Sequence, residues 1–247
     1  MQHWRWIIGG GCILARLIGA GAATAQTTAS EIPSVVTEAR AIRPVAALMR
    51  PRATPAVPLE SIPSGWRELV TKIVQQPTLT AHAGPEEVRG QFYDWLLEHP
   101  DRACLAWRRL GVPCAPITDL GQGRFGWTDG QGTNVSWRVV ARGPELCIWF
   151  AEGQGRMGNL LPVVPAKAVA VLKYNRRMGL DGQPFITHEV DVYLQTDSKA
   201  AALIARLLGP AAPRLAEQGA EQLLLFFAGL SRYLDVHPDE AGPLLAK

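Results

Sequence analysis

Among the five histidines of the chain, His188 stands in the most informative pattern. It shares parity with Ile186, Val190, Val192 and Leu194, so in a strand it faces the apolar side. An imidazole placed there is either satisfied by a hydrogen bond or acts as a ligand contact or general base, with Tyr174 or a carboxylate as its acid–base partner. Parity alone does not bring those groups together. Glu189, Asp191 and Tyr193 take the other face, which reads as solvated and paired across strands with Arg176 or Arg138. Lys173, Arg176 and Arg177 form a basic cluster near a strand end. It is either a rim for an anionic head group or a charged edge that blocks strand pairing.

Two segments match G-x-G-x-x-G, Gly121–Gly126 and Gly153–Gly158. In a dinucleotide site those glycines let a helix N-terminus approach pyrophosphate, but here the first copy runs into a strand pattern and the second into Leu160–Pro165. They read as turn glycines, and no cofactor is expected. Ser231 in Gly-Leu-Ser-Arg-Tyr lacks the second glycine of a nucleophile elbow and sits inside a helical stripe. The four cysteines show no paired motif and the histidines are isolated, so no metal site is expected. Cys104 and Cys114 stand at the two ends of a helix-to-strand connection, where an exported chain could form a disulfide and leave Cys147 as a buried thiol; the alternative is three small core residues.

Twenty-five Lys and Arg against 22 Asp and Glu give +3, with the basic residues scattered, so nucleic acid is not an expected partner. With 47% hydrophobic residues the chain can build a sizeable core. Arg5, an apolar run from Trp6 to about Ala22, and Ala23-Thr24-Ala25 form the three parts of a secretory signal peptide, assigned to residues 1–25. Its loss removes Arg5 and Arg16 and no acid, lowering the charge to +1, and leaves no transmembrane segment in the mature chain. Cys12 follows three glycines, not the branched aliphatic residue that a lipidation site calls for. The expected location is periplasmic or secreted. Residues 26–63 carry six prolines and read as a flexible linker, residues 64–238 as one α+β domain and 239–247 as a tail.

These residues must be held by elements the pattern announces. Trp66, Leu69, Val70, Ile73 and Val74 make one stripe on a helix that Ser64 can cap and Pro77 stops. Thr78–Ala83 is a strand candidate. Gly84-Pro85-Glu86-Glu87 reads as a helix start burying Val88, Phe92, Trp95 and Leu96, and Pro100 opens a second helix ended by Gly111. Strand alternation then runs through Phe125–Thr128, Val135–Val140, Leu146–Phe150, Ala168–Tyr174 and Phe185–Gln195, with short glycine-containing connections suited to an antiparallel meander. Thr196 or Asp197 caps a helix ended by Gly209-Pro210, and from Pro213 a longer helix carries Leu215, Leu223, Phe226, Phe227, Leu230 and Leu234.

One strand, two helices, an antiparallel run of strands and a long final helix resemble, over about Thr78 to Leu234, the layout of the START-like, helix-grip superfamily of polyketide cyclases and lipid-transport proteins. The resemblance implies a curved sheet of about seven strands wrapped on the C-terminal helix around an apolar cavity. The extra helix at Ser64 and the Ser198–Leu208 helix depart from that layout, and either could plug the cavity. Parity and stripe put Phe125, Trp127, Trp137, Val139, Leu172, Tyr174, His188 and Val190 on the concave face, opposed by Phe226, Phe227 and Leu230. Trp127 and Trp137 are the expected aromatic walls. Three functions follow as expectations: an exported, non-enzymatic carrier of an apolar small molecule or lipid; a cyclase-type enzyme using His188; or an interaction module with a filled core.

Overall fold

The computed structural model describes residues 58–246 apart from 131, 157–162, 180 and 181. The signal peptide, Cys12 and nearly all of the linker lie outside the described residues, as does part of the second G-x-G-x-x-G segment. Helix α1, Ser64–Gln75, starts after Pro63 with no side-chain cap, and it buries Val70 and Ile73. A single turn at Leu59–Ser61 precedes it. Ile62, assigned to the linker by composition, is fully buried.

Strand β1, Leu79–Arg89, runs straight through the position expected to start a helix. Its register with β7, Pro184–Thr196, shifts between Ala83 and Glu86, after which Glu86 opposes His188 and Val88 opposes Ile186. Pro85 sits in that irregularity, where its missing donor breaks no ladder bond. The helix expected there is the shorter α2, Tyr93–Glu98, and α3 follows at Pro100–Arg109.

Five more strands complete the sheet: β2, Ile117–Asp119; β3, Arg124–Thr128; β4, Asn134–Gly143; β5, Leu146–Arg156; and β6, Val163–Met178. The order is β1-β7-β6-β5-β4-β3-β2, antiparallel throughout. The fold is α+β, a seven-stranded antiparallel sheet with one long helix against its inner face. That helix is α5, Ala212–Val236, preceded by α4, Ser198–Leu208. Asp197 caps α4 by accepting from the Ala200 N–H at 2.7 Å, and Gly209 ends it in the left-handed region at φ 47°.

The inner face and α5 share one core, and α1 covers part of the outer face. That cover corrects the expectation of a solvated outer face. Asp191 and Tyr193 are buried, and Asp191 accepts from His82 Nδ1 and Lys173 Nζ, each at 2.8 Å. A second correction concerns the basic cluster. Strand β6 is central, so Lys173, Arg176 and Arg177 guard no edge; they pair with Asp191, Asp94 and Glu87 respectively. The last stretch also differs from a tail. Helix α6, Ala241–Leu245, buries Ala241 and Leu244, and Arg109 Nη1 donates to the carbonyls of Pro243, Leu244 and Ala246.

On α5 the buried face is rotated from the expected stripe. Ala216, Gly219, Ala220, Leu224, Phe227, Leu230 and Leu234 are buried, while Leu215 and Leu223 sit at its margin. The facing side chains are small in the first half of the helix and large in the second. Strand β6 repeats this gradation, with Ala166, Ala168 and Ala170 followed by Leu172 and Tyr174.

Candidate ligand cavity

Where small residues of α5 face small residues of the sheet, the two layers cannot fill the space between them. A cavity of about 400 Å³ results, open at one side. Its floor is Ala151, Ala168, Ala170 and Val192, and its roof is Gly219, Leu223, Phe226 and Phe227. Phe125, Trp127, Val135, Trp137, Val139 and Trp149 form the aromatic and aliphatic wall. Ring contacts stiffen that wall. Trp149 lies 14° from parallel with Phe227 at 6.2 Å, and Phe125 packs on Trp137 at 6.0 Å. Trp107 of α3 donates its indole N–H to the Phe226 carbonyl at 3.0 Å and so pins the roof.

The mouth is built by the α2–α3 junction, by Ile117 and by the turn between β2 and β3. That turn, part of the first G-x-G-x-x-G segment, runs through three left-handed residues: Gly121 at φ 80°, Gln122 at φ 55° and Gly123 at φ 66°. Its glycines serve the turn, and Gly126 leaves room for Leu120. In the second segment a Cβ on Gly153 would fall 2.2 Å from the Asn134 carbonyl oxygen. Close approach of β4 to β5 requires that glycine.

Polar groups at the mouth are Glu98, Gln122 and Arg142. Alternation along β4 would turn Arg142 to the outer face, but a bulge between Val139 and Ala141 changes the parity. Val139 opposes Trp149, Ala141 opposes Ile148, and Arg142 opposes Cys147 on the inner face. Arg142 ion-pairs with Glu98 and touches the Cys147 thiol. Burial pushes that thiol up, and the guanidinium only partly offsets it.

Of the expected face residues, Phe125, Trp127, Trp137, Val139, Phe226 and Phe227 line the cavity. Leu172, Tyr174, His188, Val190 and Leu230 share the inner face but do not line it; they fill the opposite end of the core. The Tyr93 hydroxyl bonds His188 Nδ1, and His188 Nε2 stops 3.8 Å from Glu86 Oε2, beyond hydrogen-bond reach. Glu86 is held in turn by Arg232 of α5 at 2.7 Å. Burial is the main reason the His188 pKa falls to about 4, opposed by Glu86 and assisted by Arg232. Burial, with Asp94 next, also raises the Tyr93 phenol. Tyr174 donates to the Gly143 carbonyl at 3.1 Å. The acid–base pairing of His188 with Tyr174 or a carboxylate therefore does not converge on the cavity.

Among the described side chains, neither extra helix plugs it. α1 lies on the outer face, and α4 contributes none of the lining among the described residues. Cys104 and Cys114 have Sγ atoms 2.9 Å apart, and the Cys104 thiol also donates to the Ala115 carbonyl at 3.0 Å. Trp149 lies outside the expected wall because Leu146, Ile148 and Phe150 carry the apolar alternation of this strand. They are buried or half-buried on the outer face, and Trp149 belongs to the other parity with Cys147 and Ala151. Arg142 was missed because its triplet with Gly143 and Pro144 reads as a turn. No described helix is long and apolar enough to cross a membrane, and no described cluster of His, Cys, Asp or Glu could hold a metal ion.

No protein-family model matches the sequence, and no curated protein matches it. Among solved structures, a conserved protein from Geobacillus kaustophilus is 12% identical with a TM-score of 0.38, the match covering 63% of this chain and 95% of that one. The di-domain ARO/CYC BexL from the BE-7585A biosynthetic pathway is 20% identical with a TM-score of 0.32, over 70% of this chain and 53% of that one. At such scores neither likeness bears on the cavity, whose meaning rests on its own geometry.

Proposed function

We propose that this protein is an exported, non-enzymatic carrier of an apolar small molecule or lipid, built on the helix-grip layout and holding its ligand between the sheet and α5. The observation that carries the reading is the cavity of about 400 Å³ walled by Phe125, Trp127, Trp137, Trp149, Phe226 and Phe227. Its size falls within the roughly 300–1,000 Å³ of small-molecule sites, and a few polar groups at one side of an apolar space are the usual means of orienting a ligand. An interaction module with a filled core is disfavoured by the same space. A cyclase-type reaction through His188 is disfavoured by its distance in the fold from the cavity lining. Export is supported by the three-part pattern of residues 1–25.

Titration with the neutral fluorophore N-phenyl-1-naphthylamine tests the carrier. Saturable binding that Trp137→Ala weakens is expected, and no saturable binding by the folded wild type overturns the reading. Intact mass of the exported protein tests the rest: a chain starting at Gln26 supports cleavage, and one retaining Met1 in the membrane fraction refutes it.

A further inference from the structure

Among the described residues that line the cavity one side chain is basic, Arg142, at its mouth. Three features of the structure make it more than a chance neighbour. The bulge in β4 reverses the alternation just before it, and bulges of this kind re-aim side chains at functional sites. It stands opposite Cys147 on the inner face, with its side chain one-third exposed at the rim (33%). Its partner carboxylate, Glu98, is half exposed, so Glu98 can turn to water without leaving a buried charge behind. Gln122, held in the left-handed region at φ 55°, also lines the cavity. The rest of the wall is apolar, so a polar end of any bound molecule has a single well-provided place to go.

Resting on the carrier reading, we infer that Arg142 is the specificity-determining group of the cavity and that its ligand is an anionic amphiphile. The ring-bearing body of that ligand lies among Trp137, Trp149 and Phe227, and its carboxylate takes the place of Glu98 on Arg142. A guanidinium pairs with a carboxylate through two parallel hydrogen bonds, a geometry an amide of the same shape cannot match.

The test displaces N-phenyl-1-naphthylamine with 1-naphthaleneacetic acid and with its isosteric amide, at a pH where the acid is ionised. The wild type should prefer the acid by tenfold or more. Arg142→Gln should bring the ratio close to one, and Arg142→Lys should restore part of it. Glu98→Gln, which removes the competing carboxylate, should raise the ratio severalfold, and it keeps the test decisive if Arg142→Gln fails to fold. Equal displacement by acid and amide, a preference that survives in folded Arg142→Gln, or an unchanged ratio in Glu98→Gln would each overturn the inference while the carrier stands. If the fluorophore does not bind the folded wild type, the carrier reading itself has failed.

Discussion

The two ends of the space beneath α5 are made from the same strands and the same helix, yet one is empty and the other solid. At the open end Ala168 and Ala170 of β6 face Gly219 and Leu223. At the closed end Leu172, Tyr174, Val190 and His188 meet Leu230 and Tyr93, all nearly inaccessible to water. The difference lies in side-chain volume at a few facing positions, since backbone and register continue unbroken along β6. A wide apolar stripe on the final helix is therefore compatible with either a cavity or a core, and facing residue sizes decide which forms.

Truncation separates the ends most sharply. Leu230→Ala should cost about 2–5 kcal/mol, because the closed end leaves a void that cannot relax. Trp137→Ala, on a wall that already borders open space, should cost about 1–2 kcal/mol while weakening ligand binding. Denaturant melts of both variants give the comparison, and equal losses would mean that the open end is packed in solution.

The closed end also carries a pH signature. The His188 pKa of about 4 in the folded chain lies below the ordinary 6.5, so between those values the unfolded chain holds the extra proton. Stability from this group is complete above pH 6.5 and is lost as pH falls toward 4, by about 3 kcal/mol in all. Melts from pH 7 to pH 4 should show that slope in the wild type, and His188→Gln should flatten it.

Cys104 inside α3 and Cys114 in the connection that leads to β2 lie close together, Cys114 three residues before Ile117 at the mouth. In oxidising surroundings we expect these thiols to join, stabilising the chain by roughly 3 kcal/mol through loop closure. A thiol count on denatured, unreduced protein spanning residues 26–247 should return one, from Cys147, and a count of three would rule the bridge out.

Enlargement gives the smallest change in stability and the clearest contrast in kind. Ala83→Leu beneath α5 at the closed end should cost about 1–3 kcal/mol by overpacking. Ala168→Leu at the open end should change stability by about 1 kcal/mol or less and abolish fluorophore binding, because the added carbons occupy empty space. A large loss of stability from Ala168→Leu would blur the distinction between the ends.

Alternation and helical spacing were enough to place most strands, the long helix and six of the cavity-lining side chains. They failed where the period is interrupted. Pro85 imitates a helix start because nothing local announces that Glu86 and Val88 will pair with β7. Strand β2, three residues long, is too short to carry a period. The β4 bulge hides Arg142 by inserting one residue into an otherwise regular count. The outer face looked solvated because its cover, α1, lies far away in sequence, and a charge such as Asp191 can be buried once His82 and Lys173 compensate it. The open and closed ends were indistinguishable because the stripe records which residues are apolar and says nothing about what they face.

Because α1 packs on the outer face of β6 and β7, the strands that carry Ala168, Ala170 and Val192 of the cavity floor are braced from behind. Paired on both edges and backed by α1, they have little room to yield when a ligand arrives or leaves. Exchange must then proceed at the rim, through the α2–α3 junction and the Gly121–Gly123 turn, so the time a ligand stays bound is set by a few surface residues and not by the aromatic walls that give it affinity. Substitutions at Gly121, outside the lining, should alter residence time more than equilibrium occupancy, which makes the carrier's kinetics and its affinity separately adjustable.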